Sequence, residues 1–278
     1  MRRWINVALV VALCACSKKP AERSGKTVDV GGVGLFLDCR GEGSPTVLFE
    51  SGLGLDGGVW DRAQTELARS SRACAYDRAG LGKSGPVPQP HAPDQMADEL
   101  WALLNRAGQQ PPYVLVGHSM GAAITRWFQR KHESAVIGMV LLDPVTEEWE
   151  ARVLSTIPPE RQGEFWSNVR RLEGLERTSL LASYSGLAGS GQALRGAPLV
   201  IMTAERNEND LATRREMHAK LTPLSGNSLH LLAPKSGHVI PAERPDLVVA
   251  AVQAVTRAAR TNERLAPAQI AGSAEIAR

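Results

Sequence analysis

The sequence has no large excess of either charge. Its 278 residues include 32 basic and 29 acidic ones, and two of the basic residues, Arg2 and Arg3, lie in a segment we expect to be removed. The remaining 30 basic residues nearly balance the 29 acidic ones. Charge therefore predicts no nucleic-acid partner and no general attraction to anionic membranes. Aromatic residues are also scarce, at 5%, but a chain of this length with 43% hydrophobic residues can bury a core.

The start of the chain has no apolar run long enough to span a bilayer comfortably. Ile5 to Leu13 is apolar except for Asn6, and it follows the positive pair Arg2 and Arg3. A positive segment, a short apolar core and small residues after it are typical of an export signal. We therefore expect residues 1–15 to act as a signal peptide.

The segment Leu13-Cys14-Ala15-Cys16 resembles the bacterial lipobox, with Cys16 as the lipidated residue. Cys14 fits less well because the bulky Leu13 would precede the cut. A secretory peptide with incidental cysteines, or a short uncleaved anchor, remains an alternative. The lipobox predicts an exported protein that acyl chains on Cys16 hold on a membrane, facing the periplasm or the cell exterior. Residues 16–26 would form a polar tether.

The chain shows no internal repeats, and apolar runs alternate with helix-competent segments over residues 27–260. Strands are predicted at Val33–Cys39, Thr46–Glu50, Ala73–Tyr76, Tyr113–Val116, Ile137–Leu142, Leu199–Thr203 and Leu229–Leu232. Helices are predicted at Val59–Arg69, Asp94–Ala107, Ala122–His132 and Pro245–Ala259, with Asp94 as an N-cap. This alternation predicts an α/β fold with a mostly parallel sheet covered by helices on both faces. A further strand near Thr27–Val30 would add an antiparallel edge.

Two segments depart from this alternation. Residues 145–198 contain helical stretches but no convincing strand, and they include Trp149 and Trp166 among charged residues. We interpret them as a cap inserted into the α/β domain. Residues 261–278 are rich in alanine and polar residues and are predicted to be a disordered tail.

The segment "YVLVGHSMGAA" carries a G-x-S-x-G motif between an apolar run and a helix-competent run, with Ser119 at its centre. This is the context of a nucleophile elbow. A side chain at Gly117 or Gly121 would collide with neighbouring backbone, and the tight turn lifts the Ser119 hydroxyl clear of the sheet. The following helix directs N–H groups to the place where negative charge would develop. Ser119 is therefore the predicted nucleophile.

A serine hydroxyl needs a base to become nucleophilic at neutral pH. His238 lies on the loop between the last predicted strand and the last helix, at the same C-terminal edge of the sheet as Ser119. The other five histidines lie in loops, near a helix end, in a charged stretch, inside a strand or in the elbow: His91, His132, His218, His230 and His118. We expect His118 to point away from Ser119. His238 is the predicted base.

Four segments together resemble the α/β-hydrolase superfamily, and within it small exported esterase-like serine hydrolases. They are "ESGLG", "YDRAGLGKSG", "GHSMG" and "SGHVIPAERP". The resemblance covers about Val28 to Ala259 and implies the α/β-hydrolase fold, with nucleophile, acid and histidine in that chain order. It also implies that the backbone N–H groups of Leu53 and Met120 form an oxyanion hole. We expect Asp77 and Arg78 to brace the glycine-rich turn Gly80–Gly85.

The triad acid departs from the commonest pattern of that superfamily. The pattern places aspartate in a G-x-x-D turn after the seventh strand, where this chain has Ala204 and Asn207. Some members place the acid after the sixth strand, and Asp143 in "MVLLDPV" matches that position. Asp143 is therefore the predicted acid, although it could also serve only to cap the turn. Glu208 and Asp210 are the alternative acids, each requiring the loop to shift.

The glycine-rich stretch "ESGLGLDGG" also matches the G-x-G-x-x-G of dinucleotide-binding turns, and Asp77 follows about 20 residues later. That interpretation is weaker because Asp61 stands where a small residue should seat the helix against the strand. It also leaves Ser119 and His238 without a role. The oxyanion turn is the better interpretation, and no cofactor or metal is expected.

Two cysteines, Cys39 and Cys74, lie in the predicted mature domain. The strand order of the superfamily places the second and fourth strands side by side, and the two cysteines fall on those strands. The resemblance therefore implies a disulfide, which an exported compartment would permit. Two buried free thiols are the alternative.

These features predict a serine hydrolase that cleaves the carboxylic ester of a small-molecule acyl substrate through an acyl-enzyme on Ser119. Serine at the nucleophile position disfavours the dehalogenase and epoxide-hydrolase branches, which use aspartate there. An acyltransferase, amidase or lactonase with the same triad is the first alternative. A non-catalytic binding lipoprotein on a hydrolase scaffold is the second.

Overall fold

The computed structural model describes residues 23–87, 89–149, 158–176, 178, 187, 193–206, 211–270 and 272. In these residues the strands are β1 Lys26–Asp29, β2 Gly34–Arg40, β3 Thr46–Glu50, β4 Arg72–Tyr76, β5 Tyr113–His118, β6 Val136–Leu142, β7 Leu199–Ala204 and β8 Ser228–Ala233. The α-helices are α1 Asp61–Leu67, α2 Pro93–Arg106, α3 Met120–Lys131, α4 Pro159–Glu176, α5 Leu211–Ala219, α6 Ile240–Glu243 and α7 Pro245–Thr261. The predicted signal peptide and Cys16, the predicted lipidation site, lie outside the described residues.

The strands form one sheet in the order β1-β2-β4-β3-β5-β6-β7-β8. The pairs β1–β2 and β2–β4 are antiparallel, whereas every other neighbouring pair is parallel. The predicted α/β-hydrolase fold, with its mostly parallel sheet and antiparallel edge, is confirmed. The carboxyl ends of β3, β5, β6, β7 and β8 therefore meet at one edge, where loops can bring distant residues together.

Alternate residues of the central strands face opposite sides of the sheet. Leu48, Leu115 and Leu141 belong to the core beneath α2 and α3. Val47, Val114 and Val140 belong to the second core, beneath α1 and α7. Burial of both faces explains why these strands read as continuous apolar runs rather than as alternating ones.

The helices begin and end close to their predicted positions, with two local differences. The predicted helix Val59–Arg69 is split into a short 3-10 turn, Gly57–Trp60, followed by α1. The predicted N-cap Asp94 is wrong: Ala92 occupies the cap position of α2, and Pro93 begins the helix. Proline suits the first helical position because its missing N–H would have no intrahelical partner there.

Cys39 and Cys74 are directly opposed across β2 and β4, with Cα atoms 4.0 Å apart. Their sulfur atoms are bonded. The structure thus contains the disulfide that the resemblance implies, rather than two free thiols.

Helix α4 is the longest continuous described segment of the predicted cap, residues 145–198. Three aromatic side chains of this region contact one another: Trp149, Phe165 and Trp166. After α7 the chain does not fray at once. Leu265 N donates to Asn227 Oδ1, and Ile270 is buried. The rest of the predicted disordered tail, residue 271 and residues 273–278, lies outside the described residues. No helix in the described ranges has the length and hydropathy needed to cross a bilayer.

Candidate active site

Ser119 lies at the sharp turn between β5 and α3, with a positive φ of 54°. Non-glycine residues rarely adopt this conformation, which a tight surrounding structure must hold in place. A Cβ at Gly121 would collide with the carbonyl oxygens of Glu50 and Ser51, and one at Gly117 would lie 2.7 Å from Ala122 Cα. The two glycines therefore let neighbouring backbone approach the turn that presents the Ser119 side chain.

His238 and Asp143 continue a hydrogen-bonded chain from Ser119. Ser119 Oγ lies 3.0 Å from His238 Nε2, and His238 Nδ1 lies 2.7 Å from Asp143 Oδ2. A carboxylate can only accept, so Nδ1 carries the proton and Nε2 is left to accept from the serine hydroxyl. The three residues follow β5, β8 and β6, whose carboxyl ends share one edge of the sheet.

The Asp143 carboxylate is buried and held by two further groups. Arg214 Nη1 donates to both carboxylate oxygens at 2.8 Å, and Ala204 N donates to Oδ1 at 3.0 Å. Burial alone would raise the pKa of Asp143, but Arg214 and His238 outweigh it and hold that pKa well below its usual range. Asp143 is therefore ionised and oriented toward His238.

The His118 side chain hydrogen-bonds to the backbone of His238. Its Nε2 lies 2.7 Å from the backbone oxygen of His238, and because a carbonyl only accepts, Nε2 donates. Burial and the neighbouring His238 lower the pKa of His118 to about 3. The neutral His118 therefore ties the elbow to the loop that carries His238.

The turn after β3 lies directly beside Ser119. A Cβ placed on Gly52 would be 3.2 Å from Ser119 Cβ, so Leu53 follows at the edge of the site. Met120 is the first residue of α3, where N–H groups have no intrahelical acceptor. Neither the Leu53 nor the Met120 N–H donates to an acceptor in the described ranges. Both N–H groups are thus available to an oxyanion formed next to Ser119.

Arg78 contacts the turn after β3, whereas the sequence led us to expect Asp77 and Arg78 at the turn formed by Gly80–Gly85. Its guanidinium contacts Glu50 Oε1 at 2.6 Å and Glu176 Oε2 at 2.6 Å. Asp77 accepts from Gly57 N and Lys83 N, both at 2.8 Å. Arg78 therefore links the end of β3 to Glu176, and Asp77 links Gly57 to Lys83.

The alternative acids Glu208 and Asp210 lie outside the described residues, as does Asn207. Sequence reasoning missed three buried groups that support the site: Glu50, Glu176 and Arg214. Arg214 and His218 stand in a charged stretch that suggests a solvated helix, yet both are buried. The sequence does contain a pattern that could have indicated this burial. The positions i, i+3, i+4 and i+7 of one helical face carry Arg214, Met217, His218 and Leu221.

Among the described residues, no cluster of three or more histidine, cysteine, aspartate or glutamate side chains is placed to hold a metal ion. The arrangement instead joins a hydroxyl, an imidazole and an ionised carboxylate beside two N–H donors. Such a set can activate a hydroxyl and stabilise an anion formed next to it.

Similar proteins were found by sequence and by structure. The uncharacterized protein YqjL of Bacillus subtilis is 31% identical over 238 residues, which is 84% of this chain and 92% of that protein. A thermophilic esterase from Thermogutta terrifontis matches with a TM-score of 0.66 and 22% identity, over 84% of this chain and 97% of the esterase. The epoxide hydrolase CorEH matches with a TM-score of 0.61 and 16% identity, over 86% and 99% of the two chains.

The two structural likenesses show the shared fold alone, since both identities are low and the two enzymes act on different bonds. The family model described as "Alpha/beta hydrolase family" matches residues 47–251, which run from β3 into α7 and include Ser119, Asp143 and His238. This chain belongs to the alpha/beta hydrolase family.

Proposed function

We propose that the protein is a serine hydrolase that cleaves carboxylic esters of small molecules through an acyl-enzyme on Ser119. The observation that carries the proposal is the hydrogen-bonded chain from Ser119 through His238 to Asp143. Serine supports acyl transfer over epoxide opening, because the epoxide-hydrolase branch of the superfamily attacks with aspartate. The esterase from Thermogutta terrifontis shares the fold.

In the proposed mechanism, His238 Nε2 takes the proton as Ser119 Oγ attacks the acyl carbon. The negative charge that develops on the carbonyl oxygen is stabilised by the N–H groups of Leu53 and Met120. His238 then gives its proton to the leaving alcohol. Water, activated by the same histidine, releases the acid and restores Ser119. Asp143 keeps the proton of the free imidazole on Nδ1 and stabilises the imidazolium.

The test uses short p-nitrophenyl esters and a fluorophosphonate probe with the wild type, Ser119→Ala and Ser70→Ala. Ser70 is an exposed serine away from the elbow and serves as the matched control. We expect the wild type and Ser70→Ala to turn over the esters and to take up the probe, whereas Ser119→Ala does neither. A wild type without labelling and turnover would leave the non-catalytic binding protein as the better interpretation.

The same assay separates hydrolysis from acyl transfer. With water as the only acceptor, a hydrolase releases p-nitrophenolate continuously. An acyltransferase would release one equivalent and stop until an acceptor is added, because its acyl-enzyme would not react with water. Parallel assays with a lactone and an anilide compare esters with the bonds that a lactonase or an amidase would cleave.

We further propose that the protein is exported and held on a membrane by lipid on Cys16. The proposal rests on the sequence, where positive, apolar and small residues precede Cys16. The Cys39–Cys74 disulfide supports it, since disulfides persist in oxidising compartments.

Replacing Cys16 with serine should therefore move the protein from the detergent phase to the aqueous phase in detergent partitioning. Cys14→Ser is the matched control and should still partition with detergent. If Cys16→Ser partitions like the wild type, the attachment lies elsewhere in the chain.

A further inference from the structure

The cap helix α4 reaches the predicted oxyanion turn through its last residue. Glu176 is fully buried, although most of its helix is exposed or half-buried. Its Oε1 accepts from Gly54 N at 2.6 Å, and Arg78 donates to both of its carboxylate oxygens, at 2.6 and 3.0 Å. A carboxylate is costly to bury unless it is paired. Its partners here are a guanidinium and the backbone of the turn.

Arg78 holds the same turn from the other side. Its Nη2 donates to Gly52 O at 2.7 Å, and its Nη1 donates to Ser51 O at 2.7 Å. Nη1 also contacts Glu50 Oε1 at 2.6 Å. Five donors in a rigid planar group let arginine bind several acceptors with fixed geometry, which lysine cannot do.

These contacts restrain both peptide units that flank Leu53. In a planar trans peptide the C=O and the following N–H point in opposite directions. The hydrogen bond from Arg78 to Gly52 O therefore directs the Leu53 N–H away from Arg78. The bond from Gly54 N–H to Glu176 fixes the next peptide unit in the same way. Leu53 is thus held on one side by Arg78 and on the other by the cap helix.

The cluster is buried, so its charges are little screened by solvent and interact strongly. Tyr76 donates to Glu50 Oε2 at 2.5 Å, and all four side chains, Glu50, Tyr76, Arg78 and Glu176, are buried. Burial raises the pKa of Glu50 to about 7, even though Arg78 opposes that rise. Arg78 contacts both carboxylate oxygens of Glu176 but only one of Glu50, so Glu176 is its more extensive carboxylate partner.

We propose that Glu176 is a positioning residue for the oxyanion hole: through Arg78 and Gly54 it fixes the Leu53 N–H, so seating of cap helix α4 completes the catalytic site. The inference rests on the proposed function, because it needs a reaction that forms an oxyanion. A residue that only anchored the cap would affect stability and substrate binding. A positioning residue affects the chemical step.

The principal test is Glu176→Gln, which keeps the size of the side chain but loses the charge that pairs with Arg78. We expect kcat for a short p-nitrophenyl ester to fall about 10- to 100-fold, less than the loss seen when an oxyanion donor is removed outright. KM should change less than about twofold, because the ground-state carbonyl depends little on the donor. The rate of fluorophosphonate labelling should fall with kcat.

The matched control is Glu164→Gln, which removes a carboxylate that is 65% exposed on the same helix. It should keep the wild-type kcat. If Glu176→Gln fails to fold, Glu176→Asp replaces it, because the shorter acid keeps the charge but cannot reach Arg78 and Gly54 together. Wild-type kcat in the folded variant would overturn the inference.

A second readout does not depend on catalysis. Hydrogen exchange at the Gly54 amide should be slow in the wild type and at least about tenfold faster in Glu176→Gln, since the amide loses a charged acceptor. A fall in kcat without faster exchange, or faster exchange without a fall in kcat, would overturn the positioning role. A wild type with no esterase turnover would instead remove the proposed function, and the positioning role with it.

Discussion

Replacing Asp143 with asparagine is expected to lower kcat by about two to four orders of magnitude while leaving the fold intact. Arg214 donates to both oxygens of Asp143, but Ala204 N donates to Oδ1 alone, so the asparagine oxygen should occupy the Oδ1 position. The amide nitrogen then faces His238 Nδ1 and donates to it. This places the imidazole proton on Nε2, where it can no longer accept the proton of Ser119.

The measurement is ester turnover by Asp143→Asn, with circular dichroism to verify folding. Asp210→Asn and Glu208→Gln are the matched controls, and each should cost far less. If Asp143→Asn turns over esters at close to the wild-type rate, the acid belongs to the loop after β7, and the controls will show which residue supplies it.

Acidification from pH 6.5 to pH 5 is expected to lower the free energy of unfolding by about 3 kcal/mol. Burial is the main cause that lowers the pKa of three histidines, to about 3 for His118 and about 4 for His218 and His230. A histidine whose pKa is lower in the folded state than its value of 6.5 in the unfolded chain stabilises the folded state above pH 6.5. That stabilisation is lost as the pH falls from 6.5 toward the pKa of the folded state. Each such histidine costs up to about 1.4 kcal/mol per pH unit.

Glu50 acts in the opposite direction. Its pKa is raised to about 7, so the native state keeps a proton that the unfolded state releases above its ordinary value of 4.5. The stabilisation by Glu50 is therefore complete below pH 4.5 and declines as the pH rises to about 7. Between pH 6.5 and pH 5 it therefore offsets about one of the three histidines, which leaves the equivalent of two.

The hydrogen bonds show why His218 resists protonation. His218 Nε2 lies 2.9 Å from the Pro144 carbonyl oxygen and must donate to it, which leaves Nδ1 to accept from the Thr203 hydroxyl at 2.7 Å. The Thr203 oxygen then accepts from His230 Nε2 at 2.7 Å. A proton added to His218 Nδ1 would make both imidazoles donors to Thr203 Oγ1, and the Thr203 hydroxyl proton would lose its acceptor.

Urea unfolding at pH 6.5 and pH 5, followed by tryptophan fluorescence, measures the effect. The double variant His218→Gln/His230→Gln is the control. It should show a much smaller difference between the two pH values, because the contributions of His118 and Glu50 nearly cancel and only the lowered pKa of the partly buried His132 adds to them. A wild type whose free energy of unfolding stays constant over this range would contradict the prediction.

The sequence by itself determined the sheet, the elbow and the position of His238 beside Ser119. Burial on both faces of a parallel sheet produces continuous apolar runs, so the strands were readable from local composition. The elbow was readable because only glycine allows the close approach of Glu50 O to position 121. His238 followed from topology, since carboxyl ends of parallel strands meet at one edge.

The supporting charges were decided only by the tertiary structure. Arg214 meets Asp143 across 71 residues, and Glu176 meets Arg78 across 98. Residue type alone does not distinguish a buried, paired arginine or glutamate from a solvent-exposed one. Helical periodicity marked the face of Arg214, but it could not name the carboxylate that compensates the buried charge. That pairing depends on which loops the completed sheet brings together, because a buried charge is tolerated only where its partner lies.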